Sequence, residues 1–138
     1  MKRYLFLIFW TVGILSPMAL LVRASPITYR LFNTLFSPPW MHIFMHSLLF
    51  AVLAALLMQN LSGRLAARRA VPVVLALVLV AAILQESIQL LSEQRVLHGD
   101  TFFDIGVDML GGLLGLLLAL AFRKLLAKRA RRSLALTN

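Results

Sequence analysis

Residues 85–115 read QESIQLLSEQRVLHGDTFFDIGVDMLGGLLG, from Gln85 to Gly115. All five carboxylates of the chain fall inside this stretch: Glu86, Glu93, Asp100, Asp104 and Asp108. Outside it there is no acidic residue, and every charge is positive. Its left half closes one long apolar run and its right half opens another, so carboxylates sit within two candidate membrane helices. Ionisable groups at membrane depth are costly and usually face a protein interior or a wet cavity. The stretch therefore predicts both a helical membrane fold and a polar site.

Composition agrees. Of 138 residues, 61% are hydrophobic, and the mean hydropathy is +0.89. A soluble domain of this size cannot hide so much apolar surface. The net charge of +9 lies between and beyond the apolar runs, the pattern of topology signals and anionic-lipid contacts. Nucleic acid is therefore not an expected partner. The absence of cysteine excludes disulfides, thiolate metal sites and cysteine nucleophiles.

Working outward, four spans emerge, at about residues 4–22, 41–61, 71–91 and 102–122, each close to the ~20 residues that cross a bilayer. The first is read as a retained helix, because it exceeds a usual signal core and no clear Ala-x-Ala site precedes Arg23. Pro17 should kink it. Ile27 to Phe36 places Ile27, Leu31 and Leu35 beside Tyr29, Phe32 and Phe36, which predicts a short interfacial helix between the first two spans. Pro72 is expected in the first turn of the third span, where a missing N–H is tolerated.

Residues 123–138 form a basic tail, expected to continue as an amphipathic helix or to fray. Eleven Lys and Arg residues fall on the side of the two termini and three (Arg23, Arg30 and Arg95) on the other. This bias predicts cytoplasmic termini. The expectation is a single all-α domain over residues 1–138: an integral membrane four-helix bundle in a bacterial-type inner membrane.

That orientation gathers polar residues of three helices near the outer leaflet. His42 and His46 open the second span, Glu86 and Gln89 close the third, and Asp104 and Asp108 open the fourth. Glu86, Gln89 and Glu93 share one helical face. Asp104, Asp108, Gly111 and Gly115 run i, i+4, i+7, i+11 along one stripe. Gly111 and Gly115 form a GxxxG step that permits close helix packing, so the acidic stripe should face another helix. The candidate cluster is Glu86, Gln89, Arg95, Asp104 and Asp108, with His46 and Arg95 as ligand-binding candidates. A purely structural pairing of these carboxylates with Arg95 or a histidine stays open.

The ordered set Glu86-x2-Gln89-x5-Arg95, then Asp104-x3-Asp108-x2-Gly111-x3-Gly115, resembles the VanZ-like membrane proteins, as does His46-x3-Phe50-x2-Leu53. The resemblance covers about residues 42–120. The chain departs from the family's usual pattern at His42 and Ile43, where Asp-Lys is common, at Asp108, where Asn is frequent, and in a longer loop between Arg95 and Asp104. The resemblance implies a small polytopic membrane protein and specifies no reaction.

Three functional readings stay open. One is an enzyme or binder of a lipid-linked or cell-envelope substrate, with Glu86 or Asp104 as acid or base and Arg95 holding an anionic head group. In a variant of it, Glu86, Asp104 and Asp108, with His46, hold a hard divalent cation. A second is a non-catalytic accessory subunit of a larger membrane complex or homo-oligomer, or, in a variant, a histidine ligand for haem or pigment. The third is an ion-coupled transporter. The sequence names no cofactor.

Overall fold

The computed structural model describes residues 2–16, 25–36, 38–94 and 99–136. Among them the chain is helical throughout, with no strand. The helices are α1 (Lys2–Leu15), α2 (Pro26–Phe36), α3 (Pro39–Leu61), α4 (Ala67–Glu93) and α5 (Gly99–Leu136). Three of them are long and apolar enough to cross a membrane: α3, α4 and α5. Helices suit such sequences because each satisfies its own backbone hydrogen bonds, which lipid cannot do. Leu79, Leu84, Leu114 and Leu118 are exposed on their outer faces, as lipid contact requires. The protein is a helical membrane protein.

Helix boundaries extend beyond the expected spans. Pro39 starts α3 at its first turn, behind an extended Pro38, where a missing N–H costs nothing. The fourth helix begins at Ala67, so Pro72 lies in its second turn and not its first. The carbonyl that loses its partner there belongs to Arg68, at an exposed polar end where water can serve it. That helix ends at Gln94, whose left-handed backbone (φ 52°) returns its N–H to the Leu90 carbonyl at the C-cap. The last helix runs through the basic tail without interruption. In α1 the described helix stops at Leu15; Pro17 and the rest of the expected first span lie outside the described residues, and α1 to that point is shorter than a membrane crossing. Thr28 Oγ1 bonds the Ser25 carbonyl at the start of α2.

Packing fixes the directions. His42 approaches Asp104 and His46 approaches Asp108, while Ser47 lies against Gly111 and Ala51 against Gly115. Numbers rise together on both helices, so α3 and α5 run parallel. Between them in sequence, α4 returns antiparallel, with Val78 against Gly112. Tyr4 accepts a hydrogen bond from Arg64 Nη2 at 2.9 Å, and Trp10 Nε1 donates to the Leu49 carbonyl at 3.0 Å, so α1 runs antiparallel to α3. The start of α1, the α3–α4 turn and the basic end of α5 therefore share one end of the bundle.

The closest approach is between α3 and α5. A Cβ on Gly111 would lie 2.6 Å from the Ser47 Cα, and one on Gly115 would lie 2.5 Å from the Ala51 Cα. Ser47-x3-Ala51 is itself a pair of small residues one turn apart, so two small-residue ridges meet backbone to backbone. Below this contact lies an apolar core of Phe50, Leu53, Ala54 and Met58 from α3, Val74, Val78 and Ala82 from α4, Leu116 from α5 and Ile14 from α1. Above it, toward the start of α3 and α5, the buried residues become polar.

Candidate functional site

Each polar side chain arrives by continuing a packing stripe. On α5, Thr101, Asp104, Asp108, Gly111 and Gly115 follow at three- and four-residue steps, and the glycines dock that face on α3. On α4, the buried positions Ala70, Val74, Val78, Ala81 and Ala82 lead to Gln85 and Glu86. On α3, His46 precedes the buried Phe50 and Leu53 by the same steps. Small and apolar residues thus aim the last turn of each stripe inward, whatever its polarity.

The result is a buried triad. His46 Nδ1 and Asp108 Oδ1 are 2.9 Å apart. Asp108 is fully buried, Glu86 is 4% exposed and His46 6%. One ligating atom from each of His46, Glu86 and Asp108 can be chosen so that all three lie within 4.8 Å of one another. Towards the helix starts, His42 Nε2 stands 3.4 Å from Asp104 Oδ1, with the histidine side chain half-exposed and the carboxylate largely covered. The two imidazoles connect the layers, their ring centres 4.3 Å apart. Four titratable groups of α3 and α5 thus form a ladder from the bundle end into its interior, and Glu86 meets its inner rung from α4.

Three buried oxygens in this region have no hydrogen-bond partner among the described residues: Gln85 Oε1, Glu86 Oε1 and Asp108 Oδ2. A buried unpaired polar atom costs about 1–3 kcal/mol, and more if charged. An ionised Asp108 can only accept, so His46 Nδ1 donates to it, and in the neutral imidazole Nε2 then keeps its lone pair. The arrangement offers an oriented imidazole and two carboxylate oxygens free to accept. Such a group can hold and pass a proton, or coordinate a cation.

Of the residues expected from sequence, Glu86, Asp108 and His46 meet directly, with Asp104 one turn away beside His42. Gln89 is half-buried, nearly one turn beyond Glu86 on α4. Gly111 and Gly115 form the α3 contact. Arg95 lies outside the described residues. The sequence reading did not single out Gln85 or Thr101, nor His42 as the partner of Asp104. Gln85 was legible, since it extends the stripe Val74, Val78 and Ala82 by one step; Thr101 extends the Asp104–Asp108 stripe backwards in the same way. Compared with known proteins, the chain matches no family model, no curated protein and no solved structure.

Proposed function

We propose that this is a VanZ-like integral membrane protein of a bacterial-type inner membrane. In this reading it is a four-helix bundle with both termini cytoplasmic, its site lies at the outer leaflet, and that site binds or acts on a lipid-linked or cell-envelope substrate. The observation that carries the reading is the pair of unserved oxygens, Glu86 Oε1 and Asp108 Oδ2, beside the His46–Asp108 bond. A cluster whose only role was to join helices would have its polar atoms matched within the fold. The shared end of the α1 start, the α3–α4 turn and the α5 tail supports the orientation, because it puts eleven of fourteen Lys and Arg residues opposite the site. The motif order quoted above supports the family. The bilayer is the constant partner, and nucleic acid has no place in this reading.

A second reading has an observation of its own. Both aspartates of α5 face histidines of α3 in matching register, which is also how a structural clasp of an accessory subunit or homo-oligomer would be made. Amide variants separate the two. Glu86→Gln and Asp104→Asn keep side-chain shape and should insert and melt like the parent while losing ligand binding or cellular phenotype. Poor accumulation, or a much lower melting temperature with function per folded molecule intact, would replace the substrate reading by the clasp.

A further inference from the structure

We infer that His46, Glu86 and Asp108 form a binding site for one divalent first-row transition cation, of the Zn2+ or Mn2+ class. The inference deepens the proposed function by naming a ligand of the same site, and it rests on that site being more than a clasp.

Three observations converge. The donor atoms come from three separate helices and already lie within 4.8 Å of one another, so small side-chain movements bring them to a common centre. All three residues are more than nine-tenths buried. Glu86 Oε1 and Asp108 Oδ2 have no partner among the described residues, so two carboxylate ligands stand ready without breaking an existing bond. His46 joins them through Nδ1, the nitrogen that faces Asp108, giving up its 2.9 Å bond to Asp108 Oδ1 for the ion.

The donor set selects the ion class. One imidazole with two carboxylates is too nitrogen-rich to suit Mg2+ or Ca2+ best and has no thiolate to favour softer ions; Zn2+, Mn2+ and Fe2+ fit. Charge balance points the same way. Two carboxylates in a low-dielectric interior need a counter-charge, and a divalent ion supplies it in full. Three protein ligands leave a coordination position open, as in catalytic and not structural zinc sites, so an anionic oxygen of a substrate could complete the shell. Asp104 is excluded from the triad by its place beside His42.

The test uses the full chain in mild detergent, with its affinity tag removed and stripped with chelator. Titration with Zn2+ or Mn2+, read by elemental analysis after desalting, should give about one ion per chain, with no comparable uptake of Mg2+. Bound metal should raise the melting temperature. Glu86→Gln and Asp108→Asn should weaken uptake at least tenfold, while Asp104→Asn and Arg95→Gln retain it. Failure of the parent to bind either ion stoichiometrically overturns the inference, as does uptake that survives in the Glu86→Gln, Asp108→Asn double variant. Neither failure touches the substrate reading; ligand binding that survives in Glu86→Gln and Asp104→Asn, with metal uptake by the parent intact, would overturn that reading alone.

Discussion

Gly115→Ala is the smallest change that probes how the site is held. The added Cβ would stand 2.5 Å from both the Cα and the carbonyl carbon of Ala51. Ordinary contact begins near 3.4 Å, and the Ala51 carbonyl oxygen is nearer still, so α3 and α5 would have to part by at least about 0.9 Å. The obstacle is backbone, which cannot rotate aside as a side chain can. A gap of 0.5–1 Å forfeits a quarter to a half of each contact's attraction, and overpacking of this kind typically costs about 1–3 kcal/mol. The same displacement would take the His46–Asp108 bond, 2.9 Å in the parent, beyond hydrogen-bonding range. Gly112→Ala is the matched control: its Cβ would meet only side-chain atoms of Val78, the nearest Cγ1 at 2.6 Å, and a side chain can shift more readily than backbone. Melting in detergent should rank Gly115→Ala and Gly111→Ala well below the parent, with Gly112→Ala between. Parent-like melting of both Gly111→Ala and Gly115→Ala would refute the backbone contact and with it the alignment of the site.

Further outcomes follow from the same contacts. His46→Phe leaves the buried Asp108 with no partner for either oxygen among the described residues, and should lower stability by about 1–3 kcal/mol in a detergent melt. Trp10→Phe removes the bond to the Leu49 carbonyl and should cost about 0.5–1.5 kcal/mol by the same measurement. Gln94→Gly relieves a left-handed residue at the end of α4 and should raise stability by up to about 1 kcal/mol. Cysteine labelling should find Thr34 outside, with positions after Arg69 and Asn138 inside; periplasmic labelling of the tail would contradict the placement of the site.

The helices and the polar stripes were legible because each depends on local periodicity. Apolar runs near Met41, Val71 and Phe102 announce α3, α4 and α5, and the spacing of Asp104, Asp108, Gly111 and Gly115 announces one face of α5. Helix ends were less legible. Membrane thickness governs the apolar run, but a helix can continue past it, as α4 does back to Ala67 and α5 does through the tail. Neighbour choice was the harder part. The short loop before α5 points to α4 as its antiparallel neighbour, which it is, with Val78 against Gly112; the backbone-to-backbone contact, however, is with the parallel α3. The deciding residues are Ser47 and Ala51, whose small size matters only once Gly111 and Gly115 are placed against them. Pairing of His42 with Asp104 follows from that register and could not be read from either helix alone. Gln85 is harder to read for a different reason: its burial comes from the apolar stripe it prolongs and not from its spacing to the other polar residues.

The central claim is that the site holds a ligand and does more than join helices. Native mass spectrometry of the chain in mild detergent, comparing the parent with Glu86→Gln at matched melting temperature, tests it most directly. The account predicts a specific anionic lipid-linked species bound to the parent and lost from the variant. The same set of bulk phospholipids on both proteins, with nothing lost on replacing Glu86, would contradict it.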